Sequence, residues 1–553
     1  MTPSTLSFLL PLLLLLALPL NTSQSPLPTT TAYPARIADL KRIDAKSRFD
    51  RPTRALLTPA ELHFDAALAH IRNTEARALR LNGTFPPAMP FVVGREIMRR
   101  SEVYALLEGM PKGGLLHAHS AAAVDVGWMI REAVRLGNCW IRFVVSASFC
   151  LQILSLSPHR IDQVAPGVWL PDFMFSRMLP DMDPRWRPLD TVRRAYPGGA
   201  EAFDEALEFN VSISSSHPEI DYPTDRVAWS KFEHCFDVVE SLLRYMPLLR
   251  SHLLRIIETS LADGITLIEL RWVPTTTYDL SGRIYTVPET LDAMHDVAEA
   301  FKVEQPEFGG VGFIPALFRG DDVEVVGAQL RELADVRVGR EEWIFGFDLV
   351  GEEIVGNAVI SRRVGVGGRV DNYAQSLNTT LPLFLHAGET LLAGPAPDDN
   401  LYDALVLGTR RIGHGVSLVR HPALIDLVIK EGIAVEVCLI SNSMLRYVPN
   451  IQNHPVIDLL MHGVPVVLSS DDPALLGYHG VTPDFYMLYM SFDTIDLASL
   501  KQLALNSIIY SGLSAHKKAM EVERWSRRWD AWVDEAAAGL VQNRGLVVQA
   551  GGD

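Results

Sequence analysis

Four short apolar runs decide the fold of this chain: LPLFLHAG (381–388), RIGHG (411–415), IAVEVCLI (433–440) and VPVVLSSDD (464–472). Each run has the length of a buried strand, and segments of helical period separate them. Buried strands that alternate with helices indicate βαβ units, whose strands lie parallel in one sheet. The stretch 381–472 therefore predicts a parallel α/β sheet.

Four further strand candidates come earlier: GLLHAHS (114–120), ITLIELRW (265–272), VGFIPAL (311–317) and WIFGFDLVG (343–351). Together the two groups make eight βα units. Eight such units predict an α/β fold of the (β/α)8 TIM-barrel type.

The barrel is predicted to span residues 111–535, with additional segments at both ends and one insertion. Residues 33–110 are helical in period and carry no strand signal, which predicts an N-terminal helical extension. Residues 138–225 are rich in proline and aromatic side chains and are too long for a plain βα connection, which indicates a small inserted domain after the first strand. Residues 536–553 are left as a C-terminal tail.

Composition restricts the partners of the protein. The 553 residues are 48% hydrophobic and 21% charged, which is typical of globular proteins and excludes disorder as the main state. The formal net charge of −16 argues against nucleic acid and anionic membranes, since both require a basic surface. A small neutral substrate such as a nucleoside remains compatible with this charge.

The N-terminus predicts secretion. The apolar run FLLPLLLLLALPL (8–20) is shorter than the about 20 residues that span a bilayer. It is typical of a signal peptide over residues 1–22, although an uncleaved membrane anchor is the alternative. The mature chain is then extracellular and has no membrane span. Four N-glycosylation sequons begin at Asn21, Asn82, Asn210 and Asn378.

The chain has four cysteines and no C-x-x-C pair, which argues against a cysteine-ligated zinc. Cys139 and Cys150 flank a short apolar stretch and are able to bridge in an oxidising compartment. Cys235 and Cys438 lie in apolar patterns and are expected to be buried thiols.

Ionisable side chains follow several of the predicted strands. His117 and His119 are two residues apart, so both imidazoles point to the same face of the first strand. Because the carboxyl ends of parallel barrel strands share one rim, the other residues should converge with them. They are His386, His414, Asp471 and Asp472. Three other histidines precede prolines and are interpreted as loop residues: His217, His421 and His454.

Part of this set suits a metal. Three imidazoles and one carboxylate, from His117, His119, His386 and Asp471, are ligands that zinc prefers. Zinc lowers the pKa of water toward about 7 and makes hydroxide available near neutral pH. The fourth strand, GFDLVGEE (346–353), has no lysine to bridge a second metal, which favours one zinc per chain.

The remaining groups suit proton transfer. Glu389, three residues after His386, can pass a proton to a ring nitrogen of the substrate. His414 can orient the attacking water, and Asp472 can hydrogen-bond the substrate.

The motifs MPKGGLLHAHS, GFDLVGEE, LFLHAGET, RIGHG, EVCLISNSML and LSSDDPALLG resemble the motif set of adenosine deaminases. FPPAMPF (85–91), AWSKFE (228–233) and LKQLALNSIIYS (500–511) resemble the secreted subgroup, the adenosine deaminase-related growth factors. The resemblance covers about residues 33–535. It implies hydrolytic deamination at C6 of a purine nucleoside, with release of ammonia.

The resemblance also implies residue roles. Glu389 would protonate N1, His414 would position the hydroxide, Asp472 would bind N7, and the backbone N–H of Gly351 would meet N3. Trp229 would line the nucleoside pocket; the alternative is an aromatic residue of the helix core. The N-terminal helices imply a homodimer, and the insertion implies a receptor-binding-like domain in which Cys139 pairs with Cys150.

Two positions depart from the subgroup. An acidic residue usually follows the H-x-H motif, and here Ser120 does. A histidine usually precedes the arginine after the third strand, and here Phe318 precedes Arg319. Both positions face the ribose in the family, so sugar recognition is expected to differ.

Two other functions remain open. One is a secreted growth-factor-like binding protein with vestigial catalysis, and the other is a deaminase of a different modified aminopurine. The complete set of metal-binding and proton-transfer residues favours an enzyme, because a vestigial site has no physical need of them.

Overall fold

The computed structural model describes six stretches of the chain, and every structural statement below concerns them. They are residues 32–145, 169–177, 184–215, 217–354, 381–392 and 397–544. The predicted signal peptide, two of the sequons (Asn21 and Asn378) and Cys150 lie outside these stretches.

Two parallel sheets of four strands form the centre of the molecule. The strands β1 to β8 are Gly113–His119, Ile265–Trp272, Gly310–Phe318, Asp348–Val350, Phe384–Ala387, Arg411–His414, Ala434–Val437 and Val466–Leu468. Every neighbouring pair within each sheet is parallel, as the βαβ pattern predicts.

Two parallel bridges join the sheets into a closed barrel. Phe347 pairs with Leu383 between β4 and β5, and Ala118 pairs with Asp471 between β1 and the end of β8. Backbone hydrogen bonds secure the second junction, since Asp471 donates to His117 O at 3.0 Å and His119 donates to Asp471 O at 3.1 Å. The predicted (β/α)8 barrel is confirmed.

Helices surround the barrel and extend it at both ends. The α-helices are Ala32–Ser47, Arg51–Arg54, Pro59–Leu81, Phe91–Met98, Glu102–Glu108, Val126–Leu136, Leu189–Ala195, Gly199–Asn210, Pro218–Asp221, Asp225–Leu243, Met246–Ala262, Val287–Glu304, Val323–Arg337, Asp399–Val406, Pro422–Glu431, Leu439–Met444, Val456–Met461, Thr482–Ser491, Leu497–Ile509 and Ala515–Arg544. The 3-10 helices are Pro86–Ala88, Ser120–Ala122, Val416–Arg420 and Ile451–Asn453, and a small hairpin pairs Thr277–Tyr278 with Ile284–Tyr285.

The N-terminal extension is helical and docks on the last helix of the chain. Thr58 and Glu61 form a reciprocal capping box at the start of helix Pro59–Leu81, which satisfies two otherwise free backbone N–H groups. Oε1 of Glu61 also accepts hydrogen bonds from Lys501 at 2.5 Å and from Trp529 at 2.8 Å. The extension is therefore fixed to the barrel by buried polar contacts as well as by apolar packing.

The described part of the insertion contains a three-stranded antiparallel sheet of Trp169–Phe175, Cys139–Val145 and Arg187–Pro188. Cys139 is buried at the start of its strand. Because Cys150 is not described, the pairing of the two cysteines stays a prediction. Cys235 and Cys438 are buried free thiols, as expected.

None of the helices in the described stretches combines the length and the apolar composition that crossing a membrane requires. The last helix, Ala515–Arg544, continues beyond the predicted end of the barrel at residue 535 and occupies the first part of the predicted tail.

Candidate active site

The predicted site residues meet at the carboxyl ends of the barrel strands. His117 and His119 end β1, His386 lies in β5, and Asp471 follows β8. One ligand atom from each of these four residues lies within 4.8 Å of the other three. Barrel closure therefore brings together side chains that are more than 350 positions apart in sequence.

The backbone turns sharply at two of the strand ends. His414 and Asp471 both have a φ of 63°, in the left-handed region that non-glycine residues avoid. Residues held in such conformations cost about 1–3 kcal/mol and cluster at functional sites. The strain indicates that the fold holds both side chains in the site despite their local preference.

Carboxylates fix the orientation of two of the imidazoles. Nδ1 of His117 lies 2.6 Å from Oε2 of Glu436, and Nδ1 of His386 lies 2.7 Å from Oδ2 of Asp348. A carboxylate holds a proton on Nδ1, so each Nε2 carries a free lone pair. Arg271 links the two carboxylates, through Nε to Asp348 at 2.7 Å and through Nη2 to Glu436 at 2.6 Å.

A second arginine extends this network across the barrel. Arg411 donates to Glu436 and, at 2.6 Å, to Oε2 of Glu269. The two guanidinium groups and three carboxyl groups of this network are all buried. Although burial alone raises the pKa of Glu436, the two arginines and His117 hold it well below its usual value. Glu436 thus keeps its negative charge behind His117, which favours a cation in front of that imidazole.

The four-residue cluster fits a metal ion. Oδ1 of Asp471 lies 3.2 Å from Nε2 of His117 and 3.3 Å from Nε2 of His119. Within the described stretches, Nε2 of His117 and Oδ1 of Asp471 are buried and have no hydrogen-bond partner. Three nitrogen atoms and one oxygen atom at this spacing are the donor set that zinc accepts.

A second group of potential ligands overlaps the first and contains His117, His414, Cys438 and Asp471. Burial, together with the charge of Asp471, raises the pKa of the Cys438 thiol well above its usual value. A thiol must lose its proton to bind a metal, so this set is less suitable. Three residues of the first set, His119, His386 and Asp471, also line a cavity, which makes this set the better candidate for a metal site.

That cavity has a volume of about 330 Å³ and opens at the rim of the barrel. Its wall includes every residue predicted to contact substrate, namely Ser120, Trp229, Gly351 and Asp472, and it also includes Glu389, His414 and Phe318. Trp229 donates to the hydroxyl of Tyr447 at 2.6 Å, so the tryptophan is both packed and part of the wall. Gly351 has a φ of 104°, which glycine adopts readily and other residues do not.

The pKa values of Glu389 and Asp472, the two carboxyl groups beside the cluster, are shifted in the opposite direction from the pKa of Asp471. Burial, and then the charge of Asp471, raises the pKa of Glu389 and of Asp472 well above the usual carboxyl value. Although burial alone raises the pKa of Asp471, the three neighbouring histidines hold it well below its usual value. The raised pKa favours the protonated form of Glu389 and of Asp472, and in that form each is able to donate a hydrogen bond.

Several contributing residues were missed by the sequence reasoning. Glu353 accepts a hydrogen bond from Gly388 N at 3.1 Å and so holds the turn that presents Glu389. The helix Asp225–Leu243 lines the cavity with one face. That face carries Trp229, Phe232, Glu233, Phe236, Asp237, Glu240 and Leu243. The helical spacing of these residues, counted from Trp229, is the signal that would have found them.

A closed α/β barrel with such a cluster and cavity at its rim is the architecture of a barrel hydrolase. A sequence model described as "Adenosine deaminase" matches residues 210–525. Adenosine deaminase 2 of Homo sapiens is 33% identical over 461 residues, which cover 82% of this chain and 84% of that protein. An adenosine deaminase of Lutzomyia longipalpis is 32% identical over 489 residues, which cover 86% and 89%. The chain therefore belongs to the adenosine deaminase family, and it is an aminohydrolase of that type.

A solved structure shares the fold. The crystal structure of Arabidopsis ADAL complexed with IMP has a TM-score of 0.50 and 14% sequence identity, and the match covers 77% of this chain and 98% of that one.

Proposed function

We propose that the protein is a zinc-dependent deaminase of adenosine or a related aminopurine nucleoside, which replaces the 6-amino group by oxygen and releases ammonia. The observation that carries this proposal is the cluster of His117, His119, His386 and Asp471 beside a cavity that also contains Glu389 and His414. The printed names of the relatives support adenosine as the substrate.

The side chains divide the chemistry between them. Glu389, whose raised pKa favours the protonated form, donates to N1 of the purine and so makes C6 more electrophilic. The pKa of Asp472 is raised for the same reason, and in its protonated form Asp472 donates to N7, which is an acceptor. The N–H of Gly351 meets N3, and His414 holds the attacking water. His117, His119, His386 and Asp471 would hold the zinc ion, which when bound would lower the pKa of water toward about 7 and so make hydroxide available.

We assign one zinc per chain, because the described residues of the fourth strand and its following turn provide no lysine to bridge a second ion. His117 and His386 gain their ligand orientation from Glu436 and Asp348. Trp229 contributes an apolar wall for the base.

A different modified aminopurine is the second candidate substrate. Ser120 and Phe318, which depart from the subgroup, both line the cavity. A pocket with a neutral hydroxyl and an apolar ring at these positions makes fewer demands on the sugar than one with a carboxylate and an imidazole.

The proposal includes secretion and dimerisation. The apolar N-terminal run supports removal of a signal peptide over residues 1–22, and Asn82 and Asn210 are exposed, as glycosylation requires. The helix Ala32–Ser47 leaves Tyr33, Leu40 and Ile43 about half exposed, as expected of a helix that packs on a second subunit.

The test is a steady-state assay of 6-oxo product formation by the zinc-loaded protein on adenosine, its 2′- and 5′-deoxy analogues, N6-methyladenosine and adenine; the amine released is methylamine from N6-methyladenosine and ammonia from the others. We expect turnover of at least one nucleoside and about one equivalent of zinc by elemental analysis. His117→Ala should lose metal and turnover together. A fully zinc-loaded protein that converts none of these compounds to its 6-oxo product would contradict the proposal.

A further inference from the structure

A chain of hydrogen bonds connects His414 to the protein backbone. The backbone N–H of Val456 donates to Nδ1 of His454 at 3.0 Å. Nε2 of His454 lies 3.1 Å from the side-chain oxygen of Asn442, and the amide nitrogen of Asn442 lies 3.1 Å from Nδ1 of His414. All three side chains are buried, so water does not compete for these contacts.

Chemistry fixes the direction of every bond in this chain. A backbone N–H only donates, so Nδ1 of His454 is an acceptor and the ring proton lies on Nε2. Asn442 must then present its oxygen to that proton and its NH2 group to His414. Burial lowers the pKa of His454 to about 3, so this ring stays neutral near physiological pH. The direction therefore follows from Val456 and does not depend on how the amide of Asn442 is assigned.

The end of the chain sets the state of His414. Because Nδ1 accepts from Asn442, a neutral His414 carries its proton on Nε2. Oε1 of Glu389 lies 3.4 Å from the same Nδ1, but the carboxyl proton of Glu389 is the one that the proposed reaction delivers to N1 of the purine. The tautomer of His414 is therefore set by Asn442.

The other ring nitrogen faces the candidate metal cluster. Nε2 of His414 lies 3.8 Å from Oδ2 of Asp471, an oxygen that also accepts from Ser441 at 2.7 Å. A nitrogen that carries a proton has no lone pair in the ring plane, so it donates hydrogen bonds and does not accept them.

We infer that Asn442 and His454 are positioning residues of the deamination reaction, which hold His414 as the Nε2–H tautomer so that it donates a hydrogen bond to the attacking oxygen. The inference rests on the proposed function. In this state His414 orients and stabilises the nucleophile and does not remove its proton. Local sequence pattern does not predict this role, since His454 precedes a proline and has the pattern of a loop residue.

The direct test is the tautomer of His414. Protein labelled with 15N in the histidine rings is examined by two-bond 1H–15N correlation spectra, with and without zinc, and His414→Asn identifies the signals of His414. We expect an unprotonated Nδ1 and a protonated Nε2 in both samples.

Substitutions that change the direction of these hydrogen bonds test the positioning role of Asn442 and His454. Asn442→Asp has nearly the same shape but only accepts, so the proton of His414 should move to Nδ1. The value of kcat should fall by about 10²-fold, which is typical for loss of one donor to a developing negative charge, while KM for the nucleoside stays within a few-fold. His454→Leu frees Asn442 to rotate and should mix the two tautomers. His454→Gln supplies a new N–H donor and should restore most of the activity that His454→Leu loses.

His421→Leu is the matched control, because His421 also precedes a proline at a helix start but bonds to Tyr402 and Asp398. It should leave the His414 signals and kcat unchanged. A proton on Nδ1 of His414 in the unaltered protein overturns the inference whatever the activity. The inference is also overturned if Asn442→Asp changes neither the tautomer of His414 nor kcat. Failure of the proposed function gives a different result, in which the expected tautomer is present and no nucleoside is deaminated.

Discussion

Oδ2 of Asp348 lies 2.7 Å from Nδ1 of His386 and 2.7 Å from Nε of Arg271. One carboxylate oxygen therefore orients a candidate metal ligand and neutralises a buried guanidinium. Although burial alone raises the pKa of Asp348, His386 and Arg271 lower it. The carboxylate is consequently ionised throughout the physiological range, and its negative charge makes His386 a better ligand.

Asp348→Asn should weaken zinc binding by about 10–100-fold, which is typical of changes to groups that support metal ligands. The amide keeps the volume of the carboxyl group but removes the charge that holds the proton on Nδ1 of His386. Competition with a chromogenic chelator measures the affinity. Glu269→Gln is the control, because it changes the same buried network without contacting a ligand. Equal zinc affinities of Asp348→Asn and the unaltered protein would refute the assigned role.

Glu389→Gln should retain zinc and fold but lose about 10²–10⁴ in kcat, the range that general acid catalysis contributes. The amide fills the same space and cannot deliver a proton to N1. Glu352→Gln is a matched control on a neighbouring turn and should retain kcat within a few-fold. Turnover of Glu389→Gln at the unaltered rate would show that the proton comes from another group.

The sequence predicted the barrel and its rim residues because both depend on local pattern. Alternation along a strand places His117 and His119 on one face, and parallel strands bring their ends together. The buried network could not be predicted in this way. Arg271, Asp348 and Glu436 lie on three separate strands, and only barrel closure shows that they meet. His454 was correctly placed outside regular structure, but its burial depends on packing that no local pattern encodes.

Asp50 should make the docking of the N-terminal helices dependent on pH. It accepts hydrogen bonds from Arg48, Arg54 and Ser499, the last of which lies on helix Leu497–Ile509. Burial alone would raise the pKa of Asp50, but these hydrogen bonds outweigh it and lower the pKa from 3.8 to about 2. Because the pKa is lowered in the folded protein, ionised Asp50 adds about 2 kcal/mol to the free energy of unfolding. This contribution is complete above pH 3.8 and is lost as the pH falls toward 2.

Asp50→Asn should therefore be less stable than the unaltered protein at pH 7, and the difference should shrink as the pH falls below about 4. Urea unfolding at several pH values measures it. Asp39→Asn is the control, since Asp39 forms an exposed pair with Arg42 that should contribute little. A stability difference that stays constant between neutral and acidic pH would be inconsistent with this role for Asp50.

Several carboxyl groups line the cavity, but that of Asp125, which lies shortly after Ser120 in the sequence, is not among them. The side chain of Asp125 accepts from Trp128 N at 2.6 Å and caps helix Val126–Leu136. Glu233, Asp237 and Glu240 line the cavity instead. Burial raises the pKa of all three carboxyl groups, which indicates that they are poorly solvated.

Ser120→Asp should increase the preference of the enzyme for a hydroxylated sugar. In the unaltered protein Ser120 lies in the cavity wall and presents no charge, so we expect poor discrimination between adenosine and its 2′- or 5′-deoxy analogues. A substrate without the hydroxyl leaves a buried carboxylate unpaired, which weakens binding by about 1.5–3 kcal/mol, the contribution of a charge-assisted hydrogen bond. The new carboxylate should therefore lower kcat/KM for 5′-deoxyadenosine relative to adenosine by about 10–100-fold, mainly through KM. Glu233→Gln, measured on the same pair of substrates, shows whether the helix already supplies this contact. An unaltered enzyme that prefers adenosine by about a hundredfold or more, with no response to Ser120→Asp, would contradict this account of the pocket.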